Sequence, residues 1–547
     1  MVFNQFYRYI RRNTLNVILL FLLVTFILYP MLTVFRKSFM VDGVFSVANY
    51  VKFFLNFRYV RILLNTFAVA VPVTVISTLF GFVLAYSAVR LKIPGSGLFR
   101  RLALFPLIIP PFLAAFGLSL FIGRNGFLTR LLNLSWNVHG WLGIVIVQSI
   151  VFIPYVYLTL EGSVQSLDPT MEEVSRDLGA QEFYTFRRVT MALLTPSLLN
   201  SALLVFILSM ADFGTPMLIG GRFRVLSVSI YVAMVGALSR VGWAAVMGSV
   251  LLLPLLGVLI IRDRLIGEKS YITVSGSRAA TSYRETSWYI KLPITLLLGV
   301  VSLLILLIMG TVVVMSLVKV PLVNYTFTFQ NYPELFQSFV SVPTLLKNSI
   351  QMSAVAALIG TVVGLAIAYV SVRHESKIGN FLEYIALVPF AIPGTVFGVG
   401  YILAFSTGWI ALTGTWYILA INVAFHNLPV AVMAGKNQLQ QIDKEMEEAA
   451  RDLGASGLRV FKDILAPLWR PAFYASGIYV LVTGMRTISA VIFLVTPQFN
   501  ILAVKLLDLL ERLHLDLGTP LAVVLVAIVL LIQTLLYQLS GEKGLGL

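Results

Sequence analysis

The chain alternates long apolar runs with short polar islands. Runs nearly free of charge fall at about 15–35, 62–89, 102–122, 141–165, 193–218 and 241–261. They recur at about 292–318, 348–372, 381–405, 415–435, 468–495 and 519–539. A helix of roughly 20 such residues crosses a hydrocarbon core of about 30 Å. A membrane β-barrel would instead show alternating segments of about ten residues. The pattern predicts an all-α polytopic membrane protein with twelve transmembrane helices in two tandem sets of six. The one long polar segment, Arg262–Lys291, is rich in Ser, Thr, Arg and Gly and marks the boundary. The predicted organisation is a first repeat over 1–266, a cytoplasmic linker over 267–287 and a second repeat over 288–547.

The two sets match in sequence as well as in period, and long-range self-similarity of this kind governs the fold. The polar island Met171-Glu172-Glu173-Val174-Ser175-Arg176-Asp177-Leu178-Gly179-Ala180 returns as Met446-Glu447-Glu448-Ala449-Ala450-Arg451-Asp452-Leu453-Gly454-Ala455. Asn49-Tyr50 parallels Asn331-Tyr332, and Asn65-Thr66 parallels Asn348-Ser349. Pro106 and Pro110 parallel Pro389 and Pro393, Pro154 parallels Pro429, and Pro196 parallels Pro471. The spacing between matched positions shortens between spans three and four, so that outer loop is longer in the first half, around Gly123–Gly140. With six spans each, the repeats have the same orientation, related by a pseudo-two-fold axis along the membrane normal, a layout found in transporters.

Composition agrees with the pattern. The chain is 59% hydrophobic and only 12% charged, against roughly 25% charged in soluble domains. Its net charge of +16 raises nucleic acid as a partner. The better account is topology, because most Lys and Arg fall on one side of the predicted spans. They lie in the N-terminal tail (Arg8, Arg11, Arg12), Arg90–Arg101, both islands, the linker and Arg373–Lys377, which places these segments and the N-terminus in the cytoplasm. No nucleic-acid partner is expected; membrane lipid is. The first apolar run is longer than a signal-peptide core and lacks a small-residue cleavage site, so it reads as span one. There is no Cys, which excludes disulfides and thiolate metal sites but does not identify a compartment.

Each island reads as a short helix followed by a turn and a second helix. Asp168 is placed to cap the first, with Pro169 at its first position. Glu172 and Arg176 are four apart and can pair on its surface, and Gly179 suits its C-terminus. Phe183, Tyr184 and Phe186 follow, expected to be exposed, then Arg187 and Arg188. The second copy repeats the plan with Asp443, Glu447, Arg451, Gly454 and Phe461. One reading is a structural loop lying on the bilayer. The other is a docking element, and duplication at matched topology favours it, because a symmetric pair of partners needs two equivalent handles.

The islands resemble the EAA loop of binding-protein-dependent ABC importer permeases: Glu-Ala-Ala, three residues, Gly, nine residues, then Ile-x-Leu-Pro. The second copy reads Glu448-Ala449-Ala450, Gly454, Ile464 and Ala466-Pro467, departing at the Leu. The first reads Glu173-Val174-Ser175, Gly179, Val189 and Met191-Ala192, departing at both alanines and at Leu-Pro. The EAA-like loops span 168–196 and 443–471, and the resemblance covers nearly the whole chain. It implies two fused type I permease repeats in an inner (plasma) membrane. It further implies that Glu172, Glu173, Arg176, Asp177, Gly179, Glu447, Glu448, Arg451, Asp452 and Gly454 belong to coupling helices seated on two copies of a separate ABC ATPase subunit. ATP and Mg would be bound by that partner, since this chain has no GxxxxGK[ST] phosphate loop; the ABC-signature echo Leu539-Ser540-Gly541-Glu542 is read as chance. No cofactor and no catalytic residue is expected in this chain, which is a transport subunit and not an enzyme.

Fusion of both repeats resembles the ferric-iron, thiamine and phosphonate or sugar-phosphate group. Gly123-Arg124-Asn125-Gly126, Ala211-Asp212-Phe213-Gly214-Thr215-Pro216 and Ile488-Ser489-Ala490-Val491-Ile492-Phe493-Leu494 look most like its ferric-iron and organophosphate branch. Ferric iron is the favoured substrate, with a phosphonate, sugar phosphate or thiamine as the alternative. Asp212 and Arg486 lie in span five of each half, and intramembrane charges face a cavity or a partner. They are expected either to border the translocation path or to form a static buried ion pair. The four His (His139, His374, His426, His514) are scattered, so no metal site is expected here, and selectivity is assigned to an extracytoplasmic substrate-binding protein docking on outer loops such as 37–60, 123–140, 219–240, 319–345 and 496–518. The prolines of the spans serve either rocking or helix packing, and packing is favoured. From a different class, an ion-coupled secondary transporter would also have parallel repeats. It would need no duplicated cytoplasmic islands and would carry more carboxylates in its spans than the nearly solitary Asp212. No clustered nucleophile and base points to a membrane enzyme.

Overall fold

A computed structural model describes residues 14–91, 93–134, 136–236, 240–266, 287–373, 377–407 and 410–540. The linker expected at 267–287, apart from its last residue, lies outside them, as do Arg8, Arg11, Arg12, His374, Gly541 and Glu542. Among the described residues nine helices are long and apolar enough to cross a membrane, or eleven when two bent pairs are each counted as one span. The first half contributes Thr14–Ser38, Phe57–Val89, Pro111–Leu131, Trp141–Gln165, Glu182–Ala211 and Val241–Arg262; the second contributes Trp288–Ser316, Val342–Arg373 and Leu515–Gln538. The bent pairs are Lys377–Ala391 with Gly394–Phe405, and Trp416–His426 with Leu428–Gln440. The remaining expected span corresponds to Ala466–Arg486, 21 residues long, which carries Arg470 and Arg486 and falls outside the eleven.

Four expected spans are corrected in shape, spans three and five of each half. Span three of each half is not one straight helix. In the first half Ser96–Leu104 leads through a 3-10 turn, Phe105–Leu107, into Pro111–Ile122. In the second half the matching pieces meet at 113°. Proline removes an amide donor and clashes with the preceding turn, so the Pro106/Pro110/Pro111 and Pro389/Pro393 clusters break the helix at the same place in both copies. Span five does not continue to 218 or 495. Its helices end at Ala211 and Arg486, where Asp212 and Thr487 take extended backbone conformations.

After span one, each half forms a two-stranded antiparallel hairpin, Met40–Val41 with Val44–Phe45 and Val318–Val320 with Asn324–Phe327. In the first, Asp42 and Gly43 both have positive φ, +49° and +86°, the backbone twist that a two-residue hairpin loop requires. The matched sequence pairs keep matched bonds. Ser38 Oγ lies 2.7 Å from Tyr50 Oη, and Ser316 Oγ lies 2.8 Å from Tyr332 Oη. The Leu226 amide donates to Thr66 Oγ1 at 3.0 Å, and the Leu502 amide donates to Ser349 Oγ at 2.9 Å.

The halves interlock through span one. Thr14–Ser38 packs against Gly394–Phe405 of the second half, and Trp288–Ser316 packs against Pro111–Ile122 of the first. Helices without a hydrophobic driving force between them associate through close backbone approach at small residues. Gly117 and Gly400 occupy equivalent places in these two seams. A Cβ on Gly117 would lie 2.5 Å from the Ile308 carbonyl oxygen, and one on Gly400 would lie 2.7 Å from Met31 Cε and 3.0 Å from the Pro30 oxygen. Tyr401 adds a hydrogen bond across the second seam, donating to the Phe26 carbonyl at 2.9 Å.

Candidate coupling loops and central cavity

The two islands fold alike because their end signals are alike. The helices are Pro169–Asp177 and Lys444–Asp452. Asp168 accepts the Thr170 amide at 2.9 Å, and Asp443 accepts the Glu445 amide at 3.0 Å, each filling an orphan donor of the first turn. The amide of Thr170 also holds the Asp168 carboxyl below its ordinary range. At the other end Gly179 and Gly454 have φ of +83° and +84°. The Gly179 amide donates to the Arg176 carbonyl and the Ala180 amide to the Ser175 carbonyl, with the same pair of bonds after Gly454. This paired closure needs a left-handed residue, which only glycine supplies without steric cost. Each loop then enters span five through one turn of π-helix, Phe186–Thr190 and Phe461–Leu465.

Side-chain placement corrects two sequence expectations. Glu172 is buried and accepts the Thr190 hydroxyl at 2.6 Å, while Arg176 Nε donates to the Glu172 backbone carbonyl, so they form no carboxylate–guanidinium surface pair. In the second copy the pair does form, Arg451 Nη2 to Glu447 Oε2 at 3.3 Å, but Glu447 is only 1% exposed and also meets Arg373 Nε at 2.6 Å. Phe186 is not exposed; its ring packs on Phe82 and Tyr86. Glu173, Arg176, Asp177, Glu448, Arg451 and Asp452 face solvent.

The loops also present an apolar face that pattern reading passed over. Met171, Val174 and Leu178 are exposed, Leu178 at 83%, and Phe183 and Tyr184 extend the patch. Met446, Leu453 and Leu458 do the same in the second copy, Leu453 at 89%. Positions i, i+3 and i+7 share one side of a helix. Apolar side chains grouped in this way on a polar loop form an exposed patch of the kind suited to a partner contact.

Between the halves lies a cavity of about 240 Å³. Phe112, Tyr155, Asp212 and Gly214 line it from the first half, and Phe390, His426, Tyr479, Thr483, Arg486 and Ser489 from the second. Asp212 and Arg486 both border this space, yet they do not pair with each other. Asp212 is held within its own half: Gln148 donates to Oδ2 at 2.9 Å, and the Gly214 and Thr215 amides donate to Oδ1 at 3.1 and 3.4 Å. Arg486 reaches across, donating from Nη1 to the Leu107 carbonyl of the first half. That carbonyl is available for a simple reason. Its helical partners three and four residues on are Pro110 and Pro111, which have no N–H, and a buried carbonyl needs a donor from somewhere. The proline break in one half is thus completed by an arginine from the other.

Three of the four His are described, and they stay apart. His139 bonds Ser119 and Asn137, His426 lies 3.2 Å from the Ile392 carbonyl, and His514 stacks edgewise on Phe339. Among the described residues no group of three His, Asp or Glu could hold a metal ion.

Comparison with known proteins gives this architecture a family. The model of the binding-protein-dependent transport system inner membrane component matches twice, over residues 77–269 and 360–541. The chain is 33% identical over 492 residues to a putative ferric transport system permease protein of Haemophilus influenzae, covering 88% of this chain and 78% of that one. It is 32% identical over 525 residues to a ferric transport system permease protein of Actinobacillus pleuropneumoniae, covering 94% and 76%. It is also 24% identical over 492 residues to a probable ABC transporter permease protein of Sinorhizobium fredii, covering 86% and 84%. Two copies of the family domain, each with its polar loop and broken third span, make this chain a fused, two-repeat member of the inner-membrane permease family of binding-protein-dependent transport systems.

Proposed function

We propose that this protein is the membrane-spanning permease of an ATP-driven importer that carries ferric iron inward. The observation that carries the mechanism is the duplicated loop. Two helices with the same caps and the same exposed apolar face, at the same place in both repeats, provide two handles for two copies of an ATPase subunit. Glu173, Arg176, Asp177, Glu448, Arg451 and Asp452 flank the apolar contact as polar rim, whereas Glu172, Glu447, Gly179 and Gly454 set the shape of each loop. Closure of the ATPase pair moves the two repeats, 1–266 and 288–547, which the segment 267–287 joins. The loops and the N-terminus are cytoplasmic, which fits the placement of Lys and Arg. Substrate arrives on the opposite side from an extracytoplasmic binding protein. ATP and Mg belong to the ATPase, and the ferric ion is cargo.

The cavity between the halves is the translocation path, with Asp212 and Arg486 on its wall. Asp212 keeps the re-entry turn after span five in shape through its three donors. Arg486 ties the wall across the interface. Similarity to two ferric transport permeases over most of the chain supports iron over an organophosphate. Uptake into proteoliposomes holding this chain, its ATPase and its binding protein tests both parts, with labelled ferric iron set against a labelled phosphonate. The expected result is iron uptake that requires ATP and collapses in Gly179→Asp and Gly454→Asp. Phosphonate uptake with the same dependence replaces the substrate and keeps the mechanism. Uptake without ATP overturns the coupling role of the loops.

A further inference from the structure

Two arginines that hydropathy assigns to membrane topology do something more specific. Arg90 follows the last residue of span two in the first half, and Arg373 ends span two in the second. Neither side chain is free in solvent: Arg90 is 5% exposed, and the Arg373 side chain is 9% exposed. Arg90 Nη2 donates to the Leu167 carbonyl at 3.0 Å, and Arg373 Nη2 donates to the Ile442 carbonyl at 2.9 Å. Leu167 and Ile442 each immediately precede the Asp that caps the coupling helix. In the second half Arg373 also holds Glu447 of that helix, at 2.6 Å. Both ties sit on separate apolar clusters, one including Val89, Leu167 and Leu194, the other Leu365, Ile442 and Trp469. A buried guanidinium is costly unless bonded, and here both copies spend it on the same backbone position of the loop.

We propose that Arg90 and Arg373 are positioning residues that make span two move with the coupling helix of its own half. Span two is the longest helix of each repeat, 33 and 32 residues, and it packs along spans four and five. A push on the loop delivered through this tie reaches the helix that supports the rest of the half. The ties are unequal. Arg373 Nε has an ionic contact with the Glu447 carboxylate, whereas in the first half the matching Glu172 carboxylate accepts the Thr190 hydroxyl instead. The second half is therefore the more tightly coupled.

The inference rests on the ATP-driven reading, and one experiment separates the two. In proteoliposomes with the ATPase and binding protein, uptake and ATP hydrolysis are measured together for Arg373→Met, Arg90→Met and the exchanged pair Arg373→Glu with Glu447→Arg. Exposed Arg101, on the helix Ser96–Leu104, is the control as Arg101→Met. Arg373→Met is expected to retain the ATPase subunit and its hydrolysis while transport per ATP falls roughly tenfold or more, the loss of a charge-assisted hydrogen bond to Ile442 together with the ionic contact to Glu447. Arg90→Met falls less, the exchanged pair recovers part of the ratio, and Arg101→Met leaves it unchanged. The chain has no cysteine, so spin labels at Glu445→Cys and Val362→Cys report the loop-to-span distance directly. That distance should stay narrow through the ATP cycle in the parent and broaden in Arg373→Met. An unchanged ratio with a narrow distance overturns the tie. So does parallel loss of uptake and hydrolysis without recovery in the exchanged pair, which marks a merely structural arginine. A parent that takes up substrate without ATP defeats the underlying functional reading instead.

Discussion

The interlock of the halves can be tested at the two glycines of span three, where the same substitution meets different neighbours. A Cβ on Gly117 would stand 2.5 Å from the Ile308 backbone oxygen and 2.8 Å from Ile308 Cγ2. Neither can yield without moving the helix Trp288–Ser316 itself. Separating the two helices by about 0.5–1 Å forfeits a quarter to a half of each dispersion contact along the seam. Together with the overpacking strain this predicts a cost of about 2–3 kcal/mol for Gly117→Ala, the upper part of the usual range. At Gly400 the nearest atom is Met31 Cε, the end of a flexible side chain, with the Pro30 oxygen farther away at 3.0 Å. Methionine adapts readily, so Gly400→Ala should cost about 1 kcal/mol. The assay is thermal loss of the monodisperse peak of the detergent-purified permease on size exclusion, with uptake measured in parallel. Gly117→Ala should lose its peak at a clearly lower temperature than Gly400→Ala, which should lie just below the parent. Equal shifts, or the reverse order, would refute the claim that backbone contact at Gly117 joins the halves.

Three further outcomes follow from the loops and the cavity. At Gly179 and Gly454 the left-handed backbone penalises side chains by about 1–2 kcal/mol, with Asn least affected; uptake should therefore fall in the order Asn, Ala, Val, and an order set by side-chain volume alone would contradict this. The lowered pKa of Asp168 means that its cap is fully present above the ordinary carboxylate range and is lost as pH falls through the lower folded value. Protection of the amides in 170–177, taken relative to their intrinsic exchange rates, should fall only in that acid window, and Asp168→Asn, which caps without titrating, should abolish the fall. Arg486→Ala leaves the Leu107 carbonyl without a donor, a penalty of about 1–3 kcal/mol; uptake should drop while ATPase binding persists, Arg486→Lys should recover part of it, and unchanged uptake in Arg486→Ala would remove Arg486 from the path.

Much of this protein is written locally in its chain. Apolar run length sets the spans, because a helix in lipid must satisfy its own backbone and cover about 30 Å. Asp168 and Gly179, and Asp443 and Gly454, bound the two loop helices because capping depends on the residue at the end and its immediate neighbours. The clustered prolines and the Asp42-Gly43 pair are local causes of the breaks in span three and of the first hairpin, although run length alone reads span three as continuous and 37–60 as a loop. Partner choice is not written this way. Glu172 and Glu173 are adjacent and chemically identical, yet one is buried on Thr190 and the other faces solvent, because the fold around span five decides which side of the helix is covered. Pro110 and Pro111 guarantee an orphan carbonyl at Leu107, but its donor, Arg486, comes from 379 residues away. Asp212 and Arg486 carry opposite charges in one cavity, and a buried pair is one expectation; Gln148 and the amides of Gly214 and Thr215 hold Asp212 instead, and the Leu107 carbonyl holds Arg486. Backbone propensity and hydropathy act over a few residues, whereas burial and the assignment of bonds depend on which surfaces the two halves bring together.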